Sequence, residues 1–377
     1  MSNQELVVGT LGAGFIGSFH SYSFAMQKLV KNRLPAAIRL QQIVDLDEDA
    51  RNEVQDRFGY EETGDDWRAM FDGAGVNVFI NAAPNNLHME PTVEAARRGI
   101  PVLCEKPLAH DADASYEMWR AAEGAGIVHQ AAFIHRFIPA IRYMRELIQG
   151  GTLGEPIHFR SCYLMSDYLR PDLPMAWRLD KAVAGTGTFG DLGSHHIDTA
   201  RYLVGEIDEV MAIARVNVPE VEGHRVEVDD AFASIVTFEN GMVGTIEASR
   251  VAAGYGHFGS IEVDCTGGSL RYQVGKLNEL QIAEGRDQGF RTIQVIKPEH
   301  PLADFWWDGG VQGSHPIGWV ECFVHQVHHF IGAVIGQHEV SPLAATFRDG
   351  YRVAEVVDHM IESWGSGQRI PVRYRDV

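Results

Sequence analysis

The stretch Val7-Val8-Gly9-Thr10-Leu11-Gly12-Ala13-Gly14-Phe15-Ile16-Gly17 decides how the amino-terminal half of the chain reads. A strand-like apolar run ends in glycines spaced GxGxxG, and the residues from Phe15 onward open a helix. In that context the first glycine permits a tight turn and the second lets backbone approach a pyrophosphate. The third lets helix and strand pack closely. The helix N-terminus then presents free N–H groups and a partial positive charge to phosphates. The spacing therefore predicts a dinucleotide site.

Working outward, residues 6–11, 40–44, 76–81, 101–104 and 128–131 read as strands, with helical spacing over 91–98 and 114–125. Gly99 and Gly126 stand where those helices should end. Alternation of this kind is the pattern of a parallel sheet with crossover helices. After Arg136 the texture becomes strand-rich, with candidates at 157–163, 231–238, 242–250, 260–266 and 270–274. Glu239-Asn240-Gly241 and Gly267-Gly268 are hairpin signals between them. The expected fold is thus α/β plus α+β: a Rossmann doubly wound parallel sheet over residues 1–132, then a large, mostly antiparallel open sheet over 133–377. A length of 377 residues suits two cores better than one.

The net charge of −19 offers no basic face for nucleic acid. No apolar run reaches the ~18 residues of a membrane helix, so no membrane partner is expected. Cys104, Cys162, Cys265 and Cys322 form no CxxC pair, which argues against a disulfide framework or a zinc site and for a reduced, cytoplasmic protein.

An acid closing the second strand binds the adenosine ribose in such folds, and Asp45 stands there, 28 residues after Gly17 where ~20 is usual. A longer connection over 33–38 accounts for the difference. Asp45, Asp47, Glu48 and Asp49 together repel a 2′-phosphate and no arginine follows to hold one, so NAD is expected rather than NADP. If residues 191–204 are helical, Asp191, His195 and Asp198 share one face at spacings of four and three. By themselves these residues fit a helix-start acid and a hydrogen-bonded core histidine, or a histidine that takes a proton from an alcohol with a carboxylate one turn away to orient it and stabilise the imidazolium. On the second reading His195 ionises somewhat above its ordinary ~6.5. His196 points elsewhere, and Glu321-His325-His328-His329 is a polar helix face rather than a metal site, so no metal is expected.

Four stretches occur in an order that resembles the Gfo/Idh/MocA family of oxidoreductases: GAGFIG, Ala83-Pro84-Asn85-Asn86-Leu87-His88, Glu105-Lys106-Pro107, and Gly190-Asp191-Leu192-Gly193-Ser194-His195-His196-Ile197-Asp198. The resemblance implies that Lys106 meets the reacting hydroxyl, with Asp191 and His195 completing the catalytic set. It further implies a cofactor site of Gly12, Gly14, Phe15, Ile16, Gly17, Asp45, Pro84, Asn85, His88, Glu105, Lys106, Trp177 and Arg178. Substrate contacts are implied at Lys106, His135, Arg136, Tyr163, Asp167, Trp177, Arg178, Asp191 and His195. The loop 167–178, stiffened by two prolines, carries aromatic faces for sugar rings and charged groups for hydroxyls. The expectation is NAD-dependent oxidation of a secondary hydroxyl of a neutral sugar, glycoside or cyclic polyol, as in the family's levoglucosan-, glycoside- and inositol-oxidising members, by a homodimer or homotetramer. Two alternatives stand beside it: an NAD-dependent glycosidase working by transient oxidation and elimination, and an NAD-binding protein without catalysis.

Overall fold

A computed structural model describes residues 4–73, 75–285, 289–297, 299–302, 305–306 and 316–375. The first part alternates strand and helix: β1 (Gln4–Leu11), α1 (Phe15–Met26), β2 (Ala36–Val44), α2 (Glu48–Phe58), β3 (Glu62–Gly64), α3 (Trp67–Gly73), β4 (Val78–Asn81), α4 (Met89–Arg97), β5 (Val102–Cys104), α5 (Ala112–Ala125) and β6 (His129–Ala131). Its six strands pair in parallel in the order β3-β2-β1-β4-β5-β6. The order reverses between β1 and β4, which opens a crevice beyond the carboxyl ends of those strands. Helices cover both faces, so Val8, Val78, Phe79, Ile80, Val102 and Leu103 are all buried. That double burial is why these strands read as unbroken apolar runs.

Two features differ from the sequence reading. Strand β2 begins at Ala36 rather than residue 40, so the connection expected over 33–38 ends at Pro35; its first four residues, Ala-Ala-Ile-Arg, pair with β1 at the more exposed end of the strand. The three-residue edge strand β3, Glu-Thr-Gly, is too short and polar to show any.

The second part runs α6 (Pro139–Gln149), β7 (Pro156–Leu164), α7 (Lys181–Ala184), α8 (Ser194–Val204), β8 (Ile207–Arg215), β9 (Glu220–Val221), β10 (His224–Arg225), β11 (Ala231–Phe238), β12 (Val243–Ser249), β13 (Phe258–Cys265), β14 (Gly268–Gln273), β15 (Glu279–Glu284), β16 (Arg291–Gln294), α9 (Trp319–Val334), α10 (Phe347–Ser366) and β17 (Ile370–Pro371). Nine strands form one sheet, β16-β15-β14-β13-β7-β12-β11-β8-β17. It is antiparallel except where β12 lies parallel to β7. Gly241, at φ +81°, takes the left-handed turn between β11 and β12 that favours glycine.

Helices α8 and α10 pack on one face of this sheet, while α9 returns to pack on α1 and α10 also reaches α5. The other face leaves Met211, Ile213, Ile235 and Val243 exposed. Among the described residues no helix is long and apolar enough to cross a membrane.

Candidate active site

The glycine turn has the geometry its spacing demands. Gly12 sits at φ +99°, and a Cβ there would stand 2.4 Å from the Ala82 carbonyl oxygen. A Cβ on Gly17 would stand 1.9 Å from the Gly12 oxygen, whereas one on Gly14 would meet open space. Gly14 caps α1 without a side chain and the first turn carries no acid, so its N–H groups remain available to an anion. Phe15 is exposed and Ile16 half-buried beside them.

Asp45 Oδ2 accepts from the Ala13 N–H at 2.7 Å, tying the end of β2 to this turn, and its Oδ1 accepts from the Asp47 N–H at 2.9 Å. The expectation that no arginine stands near needs correction. Arg51, on α2, donates to the Asp45 carbonyl oxygen at 3.0 Å, although it is also drawn toward Glu48 at 3.8 Å. The α2 helix brings back a cation that lies six residues away in sequence. These residues fit a dinucleotide: a cradle only glycine can form, an unpaired helix N-terminus and a carboxylate beside it.

The two other cofactor-side motifs act largely through one another. His88 is fully buried, with Nε2 2.8 Å from the Ala83 oxygen and Nδ1 3.0 Å from the Pro107 oxygen. It therefore pins the segment holding Pro84 to the Lys106-Pro107 turn instead of meeting a cofactor. Asn85, also buried, donates to the Ala184 oxygen at 2.9 Å. Glu105 spends one carboxylate oxygen on His20 Nε2 at 2.8 Å and the other on the Lys106 N–H at 3.1 Å.

Lys106 leaves the end of β5 and crosses to the second part of the chain. Its Nζ donates to Asp191 Oδ1 at 2.8 Å and to the Asp191 carbonyl oxygen at 2.9 Å. Asp191 lies in a widened π turn, Phe189–Gly193, that leads into α8. Such turns recur at functional sites. The buried Asp229 carboxylate holds the start of this turn, accepting from the Gly187 and Phe189 N–H groups, each at 2.9 Å, and from the Thr188 hydroxyl.

The sequence reading made Asp191 the partner of His195. The carboxylate instead turns to cations: Lys106, Arg250, and Arg178 at 3.8 Å. Burial alone raises its pKa, but those three charges outweigh burial and hold it well below the carboxylate range.

His195 is 8% exposed and stacks on His135, ring centroids 4.5 Å apart. Its Nδ1 has no hydrogen-bond partner among the described atoms. Burial, then Lys106 and His135, push its pKa well below 6.5, and the opposing pull of Asp191 is the weaker effect. The expected rise above 6.5 is thus reversed, and the ring is neutral at pH 7, as a proton acceptor must be. His135 is also held neutral, and burial pushes His196 down to about 3.

Two further placements correct the sequence reading. Arg136 is buried and bidentate to Asp198, at 2.9 and 2.6 Å, with Asp349 at 3.2 Å. It clamps α8 and is not free to meet a substrate, and Asp198 belongs to that clamp rather than to the face of His195. Tyr163, on β7, gives its hydroxyl to a 2.9 Å contact with His257 Nε2 beside the histidine cluster.

The loop 167–178 closes the other side. Asn85, Tyr168, Trp177, Arg178 and Asp191 line a narrow crevice, and the Arg178 guanidinium lies 4.3 Å from the centre of the Trp177 ring. Asp167 gives Oδ2 to Arg250 and keeps a buried Oδ1 without a partner. Wider cavities of about 760 and 940 Å³ elsewhere are lined by none of the motif residues, so chemistry rather than size locates the site. Arg250, His257 and His20 were not read from the sequence. A strand-end arginine carries no local mark of the carboxylates it will meet 59 and 83 residues away. Among the described residues no group of three or more His, Cys, Asp or Glu is placed to hold a metal ion, and His325, His328 and His329 are engaged with Trp306, Gln27 and Val340.

A doubly wound domain with a phosphate-binding glycine turn, opposed by a lysine, an aspartate and a neutral histidine, defines a nicotinamide-dependent oxidoreductase. The chain belongs to the GFO/IDH/MocA oxidoreductase family: residues 6–133 match its NAD-binding Rossmann fold and residues 141–271 its C-terminal domain. Its cofactor is NAD. It is 35% identical to levoglucosan dehydrogenase of Pseudarthrobacter phenanthrenivorans, over 96% of either chain. It is 27% identical to inositol 2-dehydrogenase of Rubrobacter xylanophilus, over 97% of this chain and 92% of that one. The solved structure of a levoglucosan dehydrogenase in complex with NADH and levoglucosan superposes with a TM-score of 0.92 at 35% identity, covering 98% of this chain and all of the other.

Proposed function

We propose that the protein is an NAD-dependent dehydrogenase that oxidises a ring secondary hydroxyl of a neutral, hydroxyl-rich sugar, with levoglucosan-like anhydro sugars ahead of glycosides and inositols. The observation that carries this is the Lys106–Asp191 pair standing opposite a neutral His195. Bound NAD supplies the hydride acceptor. Lys106 holds the substrate oxygen and stabilises charge developing on it, and His195 accepts the hydroxyl proton as the carbonyl forms. Asp191 keeps Nζ aimed. The unpartnered Oδ1 of Asp167 and the Trp177–Arg178 pair receive the remaining hydroxyls and the ring face. The test is a panel of anhydro sugars, glycosides and polyols with NAD, followed by NADH absorbance and product analysis. Aglycone release without NADH accumulation would favour oxidation–elimination chemistry instead.

The same reading assigns Asp45 to the ribose hydroxyls. NAD is expected to be used in preference to NADP, and Asp45→Ala to weaken NAD binding about tenfold or more, as loss of charge-assisted hydrogen bonds does. Equal or better kcat/KM with NADP in the unaltered enzyme would overturn this assignment.

The same reading divides the chain into a dinucleotide-binding domain over residues 1–132 and a substrate-binding and oligomerisation domain over 133–377, supported by the change from the parallel sheet that ends with β6 to the mixed sheet that begins with β7. The apolar stripe of Met211, Ile213, Ile235 and Val243 on the open sheet face favours a homodimer or homotetramer, since a monomer would leave it in water. Four unpaired cysteines suit a reducing, cytoplasmic setting.

A further inference from the structure

Arg250 follows β12, with its side chain only 8% exposed, and joins three chain segments that are far apart in sequence. Its Nη2 donates to Asp191 Oδ2 and its Nη1 to Asp167 Oδ2. The guanidinium also lies 5.0 Å from the centre of the Tyr168 ring. Its backbone is held as well: the Arg250 N–H donates to the Asp230 oxygen at 2.9 Å, and the Tyr168 N–H donates to the Arg250 oxygen at 3.1 Å.

Asp191 thus carries a cation on each oxygen, Lys106 on Oδ1 and Arg250 on Oδ2. An ammonium on Oδ1 favours the ionised carboxylate but leaves Oδ2 without a partner and the carboxylate plane unfixed. A planar guanidinium that spans two carboxylates fixes both, which an ammonium cannot do. Besides Arg250, the groups facing Asp191 are Lys106 from the turn after β5, Arg178 and Tyr168 from the loop, Tyr163 from β7 and His195 from α8, with Asp167 and His257 facing Arg250.

We propose that Arg250 is a positioning residue for the reaction: by bridging Asp191 and Asp167 it keeps the carboxylate that aims Lys106 ionised and fixed, and docks the 167–178 loop on the substrate. This rests on the dehydrogenase reading of the site.

The variants Arg250→Gln and Arg250→Lys test it. In Arg250→Gln, kcat/KM is expected to fall by about 10²-fold, as for a small misplacement of reacting groups. NAD affinity should stay unchanged and a new acidic limb should appear in the pH profile. Arg250→Lys, which keeps the charge and protects folding, should lose less but still fall, because it reaches one carboxylate at a time. Free guanidinium added to Arg250→Ala should restore part of the loss. A second readout needs no sugar substrate, so it stands even if the dehydrogenase reading fails. In an infrared pH titration, the protonated carboxyl band of Asp191, assigned by its absence in Asp191→Asn, should appear at higher pH in Arg250→Gln than in the unaltered protein. Native kcat/KM in Arg250→Lys and Arg250→Gln, or an Asp191 band that does not move, would overturn the proposal.

Discussion

Lys106→Ala is expected to lower kcat by about 10²–10⁴-fold with little change in NAD affinity, and His195→Ala to do the same. The reason is where each side chain ends. Lys106 Nζ reaches Asp191 in the second part of the chain, while the glycine turn proposed to receive the phosphates lies at residues 12–17. On the proposed reading, removing the lysine takes away the donor to the substrate oxygen, and it leaves Asp191 facing Arg250 and Arg178 alone. On the same reading, removing the histidine takes away the proton acceptor. The pH profile separates the two. His195 is pushed below 6.5, so its basic form persists through neutrality and kcat/KM for oxidation should fall only on the acid side of that value. Asp191→Asn removes a neighbour that pulls this ionisation upward, so the limb should move further down while the reaction slows. Initial rates after rapid pH jumps, with a slow substrate, give the measurement. An acidic limb that survives in His195→Asn would transfer the role of base to Lys106.

A second large effect is expected on stability rather than rate: the melting temperature should drop steeply as pH falls from 6.5 to 5. His88, His129, His135, His195, His196, His325, His328 and His329 are all held below 6.5, chiefly by burial. The folded pKa is lowered, so the unfolded chain takes up protons first. Stability is therefore complete above the unfolded value and is lost as pH falls below it, down to the folded value. For His328 and His329 that window runs from 6.5 to about 4, and for His196 and His325 to about 3. Each such group removes up to about 1.4 kcal/mol per pH unit inside its window, against a total of about 5–15 kcal/mol. Asp198, Asp229 and Asp358, whose carboxyls burial pushes up, work in the opposite direction. Calorimetric scans between pH 7.5 and 5 check the sum, and a flat melting temperature across that range would show that the histidines do not outweigh these acids.

The amino-terminal sheet was largely legible because its determinants are local. A glycine that must adopt φ +99°, or one whose Cβ would strike a neighbouring carbonyl, is marked by its own identity and spacing. Apolar runs flanked by helical spacing likewise need no distant partner to be recognised. The antiparallel hairpins were legible for the same reason, and the β7–β12 parallel pairing was not, since those strands are brought together from segments 85 residues apart. The site divides along the same line. Lys106, Asp191 and His195 are expected from the motifs, and the structure brings Lys106 and Asp191 together, but Arg250 carries no motif, Arg136 clamps Asp198 rather than facing a substrate, and His195 ionises in the opposite direction to the one its spacing suggests. By itself the sequence determined the dinucleotide turn, the parallel sheet and which residue types could carry the chemistry, because these follow from backbone conformation and local periodicity. Only the tertiary structure decided which charges meet and which rings stay neutral. A pKa depends on burial and on neighbours from other elements, and a side chain's partner is set by packing that no short stretch of sequence contains.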